Sequence, residues 1–163
     1  MKNQRMLDEL TELMRIDVSS GQETEIAEHL VKKLEQMGFS ITRDEAGATF
    51  GGVCGNVLAV REGERDSVVC FCSHMDRVPG GIGIKPVEED GILRSSGDTI
   101  LAADDLSGVA AILEGVRQAI ESGKALPKLE ILFTVGEEAG LYGAKAFDVS
   151  PVSYTHLTLP TIL

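Results

Sequence analysis

Three short segments of this 163-residue chain concentrate side chains that can bind metal ions or transfer protons. They contribute, in order along the chain, His74 and Asp76, Asp104 and Asp105, and Glu137 and Glu138. Imidazole and carboxylate groups are common ligands of zinc, and they also suit manganese and cobalt. A carboxylate beside a metal site can act as a general base toward water. Together the segments could therefore support metal-assisted hydrolysis.

The first segment follows a continuous apolar run at residues 68–73. Since side chains alternate along a strand, His74 and Asp76 project to the same side. A carboxylate in that position can hold one ring N–H of a metal-binding histidine. The alternative is an ordinary histidine that closes a turn, and the segment taken alone favours that alternative.

The other two segments also have ordinary explanations. Asp104 and Asp105 stand directly before a predicted helix, where acidic side chains cap the helix and oppose its dipole. A carboxylate held there could also bridge two cations. Glu137 and Glu138 could form a solvated loop, or one could bind a metal while the other faces a bound water. All three segments fall at junctions between predicted elements, and this conjunction favours one shared site.

The elements that must position these segments alternate between amphipathic helices and apolar strands. Apolar spacing predicts helices around residues 6–14, 26–37 and 106–120, and strands around residues 39–43, 56–60, 68–73 and 129–135. Residues 85–95 predict a hairpin that turns at Asp90 and Gly91. The alternation predicts an α/β layer architecture, in which ligands collect beyond the carboxyl ends of the strands.

Two further predictions concern the start of the second helix and the burial of the third predicted strand. Ser20 and Glu23 have the spacing of a capping box at the start of the second helix, and the first two helices are assigned a packing role only. The apolar run at residues 68–73 predicts a strand covered on both faces.

The composition excludes several classes of partner. The formal net charge of −11 argues against nucleic acid or an anionic membrane surface as a partner. No apolar run reaches the about 18 residues of a membrane span. The three cysteines, Cys54, Cys70 and Cys72, are too few for a disulfide scaffold. With no apolar signal core at the N-terminus, they indicate free thiols in a reducing cytoplasm.

The motifs at residues 73–76, 98–108 and 133–145 resemble the successive signatures of the zinc-dependent exopeptidase family that includes peptidase T, carboxypeptidase G and acetylornithine deacetylase. Residues 81–86 are similar to the peptidase T-like branch in particular. The resemblance extends from about residue 6 to about residue 148. It implies a mixed central sheet flanked by helices, with part of a catalytic domain in residues 1–148 and an irregular tail, foreign to the fold, in residues 149–163.

The resemblance also implies a role for each site residue. His74 would bind one zinc ion, Asp104 would bridge two zinc ions, and Glu138 would bind the other. Glu137 would be the general base and Asp76 would orient the histidine. The implied reaction is hydrolysis of short peptides with a free amino terminus, in the cytoplasm, with manganese or cobalt as other metals that the site could accept.

The family pattern is not complete in this sequence. Leu106 stands where members of the family often have lysine. The pattern also includes a later acidic ligand, a late histidine and an inserted lid or dimerisation domain, and the intact parent could be a homodimer. His156 lies in the tail, too close in sequence to be the late histidine. We therefore expect residues 1–163 by themselves to be inactive and poorly soluble.

The resemblance further implies a cis peptide bond between Asp104 and Asp105.

Three alternatives stay open at this point. Cys70, Cys72 and His74 could share one strand face as a metal or redox module, although isolated cysteines are more often small hydrophobic core residues. The chain could be a remnant that binds a partner without catalysis. Within the enzyme hypothesis, the substrate could be an acylated amino acid, or a peptide cut from its carboxyl end.

Overall fold

A computed structural model describes residues 4–153. The helices are α1 Gln4–Arg15, α2 Thr24–Gln36, α3 Ala103–Glu121 and α4 Tyr142–Ala146. The strands are β1 Ser40–Arg43, β2 Val57–Arg61, β3 Arg65–His74, β4 Pro86–Glu89, β5 Ile92–Ser95 and β6 Pro127–Thr134, and a short 3-10 helix spans Ala46–Thr49. Residues 154–163 of the predicted tail, including His156, lie outside the described residues.

Four of the strands form a mixed sheet in the order β1-β2-β6-β3. β2 is antiparallel to both β1 and β6, whereas β3 is parallel to β6. In that parallel pair His74 lies opposite Thr134, so both strands end at the same edge of the sheet. The segments that follow β3 and β6 are therefore neighbours in space, although more than 50 residues separate them along the chain.

The main core lies between the three long helices and one face of this sheet. Alternate residues of β2 and β6 face the helices, and the apolar stripe of each helix fills the space between. Fully buried members of this cluster include Leu13, Leu30, Leu113, Ile131 and Phe133. The structure therefore has the mixed sheet flanked by helices that was expected. The cluster holds β3, β6 and the start of α3 in a fixed relation.

The hairpin was also predicted correctly. β4 and β5 pair in antiparallel fashion, and Glu89 lies opposite Ile92 across a two-residue turn. Asp90 and Gly91 have φ angles of 53° and 74°, which is the combination that a type I′ turn requires. Of the helices within residues 4–153, none has the length and apolarity that crossing a membrane requires.

The prediction that residues 68–73 would be covered on both faces was wrong. Val68 and Val69 remain 39% and 38% exposed, and Cys70 and Cys72 are exposed. The reason is that β3 is an edge strand of the sheet within residues 4–153. Helix α3 packs against the face that carries Phe71, and the face with the two cysteines stays accessible. The two thiols are therefore not core residues in this structure.

The capping-box prediction at Ser20 and Glu23 was also wrong. Glu23 is the residue before α2, and its side chain makes no capping hydrogen bond. Instead, the hydroxyl of Ser20 donates to Asp76, and the carboxylate of Glu23 accepts the backbone N–H of Gly136. The connection between α1 and α2 thus reaches the carboxyl ends of β3 and β6. These two helices do more than pack, because the loop that joins them contacts the segments that carry the candidate site.

Candidate metal centre

The ends of β3 and β6 and the start of α3 bring the three predicted metal ligands together. One potential ligand atom from each of His74, Asp104 and Glu138 lies within 4.8 Å of the other two. The Nε2 atom of His74 is 3.1 Å from the Oδ1 atom of Asp104. An imidazole and two carboxylates at this separation are a donor set suited to a divalent transition metal.

His74 is held in one orientation by Asp76. Its Nδ1 atom is 3.1 Å from the main-chain oxygen of Asp76 and 3.4 Å from the Oδ1 atom of the same residue. A proton on Nδ1 is thus engaged by Asp76, which leaves Nε2 directed at Asp104. Burial of the imidazole favours its neutral form, but hydrogen bonds to Asp76 and Asp104 outweigh burial and raise the pKa of His74 to about 9. The surroundings of Nε2 therefore favour a positive charge at this position.

Asp76 also fixes the backbone that carries the two glutamates. Its side chain is fully buried. Its Oδ1 atom accepts the N–H of Glu137 at 2.9 Å, and its Oδ2 atom accepts the N–H of Glu138 at 3.1 Å. Burial opposes ionisation, yet the hydrogen bonds from His74, Ser20 and these amides lower the pKa of Asp76. One ionised carboxylate thus ties the end of β3 to the turn after β6, which the sequence did not reveal.

The two glutamates occupy different surroundings, as their adjacency suggested. The Oε2 atom of Glu137 is 4.0 Å from the Nε2 atom of His74, and this side chain is 35% exposed. Desolvation raises the pKa of Glu138, and repulsion from Asp104 and Glu137 raises it further, although His74 opposes the increase. Carboxylates that repel one another in this way would be stabilised by a bound cation, so these residues fit a metal ion.

Asp104 and Asp105 are adjacent in sequence but make different contacts. Asp105 accepts the hydroxyl of Ser73 at 2.8 Å and the N–H of Gly108 at 3.0 Å, so it performs the helix-start role. The side chain of Asp104 is 84% exposed apart from its contact with His74. The peptide bond between the two residues is cis, as the resemblance implied. The helix-start explanation thus applies to Asp105, whereas Asp104 is left beside His74 as a candidate metal ligand.

A second cluster of metal-ligating side chains within residues 4–153 consists of Glu9, Glu12 and His29. Cationic side chains already accompany it, because Lys33 lies 2.8 Å from Glu9 and 2.7 Å from Glu12. Arg117 lies 3.0 Å from Glu9. A metal ion there would meet two positive charges, so we assign this cluster as an ion-pair network that joins α1, α2 and α3.

Neither cluster in the described part of the chain contains a cysteine. Although Cys70 and Cys72 are both exposed, neighbouring atoms remove part of the water around each thiol. This partial desolvation, with smaller contributions from Glu130 and Cys72, raises the pKa of the Cys70 thiol to about 11, and desolvation likewise raises the pKa of Cys72. Thiolate is the form that binds metal, so the arrangement gives no support to the module of Cys70, Cys72 and His74 that the sequence left open.

Ser20 and Glu23 are the residues at this site that sequence reasoning missed. Both were explained by a local capping pattern, and that explanation concealed their long-range contacts. Their partners, Asp76 and Gly136, lie 56 and 113 residues away in sequence. The signal in the sequence was weak. It consisted of an acidic residue directly before a helix, and a capping role explains such a residue equally well.

Comparison with known proteins identifies the family. A family model described as Peptidase family M28 matches residues 56–156. The crystal structure of aminopeptidase PepT from Bacillus cereus is 38% identical, with a TM-score of 0.89, over 92% of this chain and 41% of that one. A tripeptidase from Staphylococcus aureus is 34% identical, with a TM-score of 0.84, over 90% of this chain and 40% of that one.

The same extent of similarity is found in sequence alone. The uncharacterised protein YqjE of Bacillus subtilis is 36% identical over 96% of this chain and 42% of its own length. The chain thus spans about two fifths of the length of the relatives that it matches. These comparisons confirm the resemblance to peptidase T-like enzymes and support a hydrolase of the peptidase type. The chain belongs to peptidase family M28.

Proposed function

We propose that this chain supplies part of the active centre of a cytoplasmic, metal-dependent peptidase that releases residues from the amino terminus of short peptides. The observation that carries the proposal is the convergence of His74, Asp104 and Glu138 at the carboxyl edge of the sheet. The names of the matched structures, an aminopeptidase and a tripeptidase, support the substrate class. The net charge of −11 gives no support to a nucleic acid as the substrate.

His74, Asp104 and Glu138 would hold the metal. A bound zinc ion supplies Lewis acidity, which polarises a carbonyl group and makes water more acidic, and manganese or cobalt could do the same. Asp76 engages Nδ1 of His74, so that Nε2 is the nitrogen available to the metal. This division of the two ring nitrogens is the main task of Asp76 at the metal.

Glu137 would be the general base. Its carboxylate lies beside the metal ligands without belonging to the convergent group, and it is accessible to solvent. In this position it can take a proton from the attacking water and deliver it to the nitrogen of the departing amine. In the intact active centre, the carboxylates around His74 would thus divide between holding the metal and accepting the proton.

A second metal ion is part of the proposal. Asp104 contacts His74 through Oδ1, and its exposed carboxylate has a second oxygen with which to serve another ion. Three protein ligands are typical of a catalytic zinc ion, so two ions need more ligands than His74, Asp104 and Glu138 provide. The family resemblance implies a further acidic residue and a histidine for this purpose. We therefore propose that residues 1–163 bind a metal ion weakly and do not turn over substrate.

The test is a cobalt titration of the 163-residue chain, followed by visible absorption spectroscopy. We expect a band in the region of d–d transitions that saturates with added Co²⁺ and is displaced by Zn²⁺. His74→Ala should remove the band, while His29→Ala, in the ion-pair network, should leave it intact. Binding that is insensitive to His74→Ala would overturn the assignment of the metal centre. Hydrolysis of a tripeptide by the zinc-loaded chain would overturn the proposal that these residues alone are inactive.

A further inference from the structure

Glu23 is a fully buried carboxylate whose contacts lie on the backbone of two loops. It is 0% exposed. Its Oε1 atom accepts the N–H of Gly21 at 2.8 Å and the N–H of Gly136 at 3.0 Å. Its Oε2 atom is buried without a hydrogen-bond partner among the described residues. Burying a carboxylate is costly unless it is hydrogen-bonded or paired with a cation, and Glu23 offsets part of this cost through its two amide contacts.

The position of Gly136 shows why its contact with Glu23 matters to the site. Gly136 directly precedes Glu137 and Glu138, and it has a φ angle of 60°. A Cβ atom at this position would come within 2.6 Å of the ring of Phe50. The turn is therefore confined between an aromatic ring on one side and the carboxylate of Glu23 on the other.

Phe50 is itself held in place by the segment after this turn. Its ring stacks on Tyr142 with a centroid separation of 5.0 Å and an interplanar angle of 9°. The N–H of Tyr142 donates to the main-chain oxygen of Gly136 at 3.0 Å. Both backbone polar groups of Gly136 are thus engaged, one by Glu23 and one by Tyr142.

The loop between α1 and α2 makes a second, parallel contact with the site. The hydroxyl of Ser20 donates to the Oδ2 atom of Asp76, which also accepts the N–H of Glu138. One short loop therefore reaches the segment after β3 through Ser20 and the segment after β6 through Glu23. The loop thus adds contacts to both segments beside the direct pairing of β3 with β6.

We infer that Glu23 is a positioning residue of the metal centre: by holding the N–H of Gly136, it sets the direction in which Glu137 and Glu138 leave β6. This inference rests on the proposed function. Glu23 belongs to neither cluster of metal-ligating side chains in the described residues. It acts through hydrogen bonds that it accepts, so an uncharged acceptor of the same shape should replace it.

The test compares Glu23→Leu, which removes the acceptor, with Glu23→Gln, which keeps an amide oxygen at the same position. Each variant of the 163-residue chain is titrated with Co²⁺ at a temperature at which it is fully folded. We expect Glu23→Leu to weaken Co²⁺ binding at least about tenfold, the scale seen when a group that orients metal ligands is lost. Glu23→Gln should stay within about threefold of the original chain.

Two controls separate positioning from a loss of general stability. Leu30 is fully buried in α2, the helix that follows Glu23. Leu30→Ala creates a cavity there and should lower the melting temperature without weakening Co²⁺ binding. Glu25→Leu alters an exposed residue at the start of α2 and should change neither quantity. The inference would be overturned if Leu30→Ala and Glu23→Leu weakened Co²⁺ binding to the same extent. It would also be overturned if Glu23→Gln weakened Co²⁺ binding as much as Glu23→Leu does.

A readout without metal distinguishes failure of this inference from failure of the proposed function. In ¹⁵N-labelled chain without metal, Glu23→Leu should shift the amide resonances of Gly136, Glu137 and Glu138 and increase their hydrogen exchange. Leu30→Ala should leave these three resonances in place. If the original chain bound no Co²⁺, the proposed function would fail while this comparison still judged Glu23. Unchanged resonances in Glu23→Leu would overturn the positioning role even if metal bound.

Discussion

At the scale of single residues, one side chain of the candidate metal centre, Asp76, has two sets of contacts. Asp76 orients His74 and also accepts both backbone amides of the glutamate pair. The family resemblance implied the first role, and strand alternation only allowed it; in the structure β3 ends at His74, so Asp76 lies in the segment that follows the strand. The second role could not be predicted, since it requires knowing that the turn after β6 lies beside the end of β3.

Replacing Asp76 with asparagine should therefore damage the site in two ways. The amide side chain cannot accept both backbone N–H groups through oxygen, and it carries no negative charge toward His74. We expect Co²⁺ affinity to fall about 10- to 100-fold. We also expect the pKa of His74 to fall from about 9, because the anion that stabilises the imidazolium is lost.

An NMR titration of the His74 ring protons, together with a Co²⁺ titration, measures both effects. Asp66→Asn, at the exposed start of β3, is the matched control and should change neither value. A variant with normal metal affinity and an unchanged pKa of His74 would show that Asp76 does not have the role assigned to it.

At the scale of elements, the sequence predicted the kinds and order of helices and strands but not which faces stay open. The predicted strands at residues 68–73 and 129–135 correspond to β3 and β6, and their apolar character placed them in the sheet. Apolar character could not tell that β3 would be an edge strand, because strand order follows from pairing between distant segments. The exposure of Cys70 and Cys72 is the direct consequence.

Elements are also joined by charge, and Glu9 is the centre of that network. Burial alone would raise the pKa of Glu9, but the nearby His29, Lys33 and Arg117 side chains lower it from 4.5 to about 2. A lowered pKa in the folded state means that the carboxylate stabilises the fold above pH 4.5. This contribution is lost as the pH falls from 4.5 toward 2, because the unfolded chain takes up the proton first.

We therefore predict that Glu9→Gln lowers the free energy of unfolding by about 3 kcal/mol near neutral pH, the cost of breaking a buried ion pair. The difference in the free energy of unfolding between Glu9→Gln and the original chain should narrow by about half near pH 3, because the Glu9 carboxylate has lost much of its stabilising contribution there. Guanidinium unfolding at both pH values gives the comparison. Glu12→Gln is the control, because this 52% exposed residue should contribute less than about 1 kcal/mol. A pH-independent difference for Glu9→Gln would contradict this account.

At the scale of the whole molecule, the chain provides a connected but partial framework. It spans about two fifths of its relatives, and it nevertheless gathers a histidine and a set of carboxylates at one edge of the sheet. That convergence was predictable, because the three acidic segments fall at element junctions and β3 and β6 end at the same edge. The contribution of the loop between α1 and α2 was not predictable, since the contacts of Ser20 and Glu23 span 56 and 113 residues.

The most direct test of the account is a crystal structure of the 163-residue chain grown with zinc, with anomalous data collected at the zinc absorption edge. We predict a peak within about 2.0–2.2 Å of the Nε2 atom of His74 and of a carboxylate oxygen from Asp104 or Glu138. A peak at Glu9, Glu12 and His29 instead, or no peak at His74, would contradict the assignment of the metal centre.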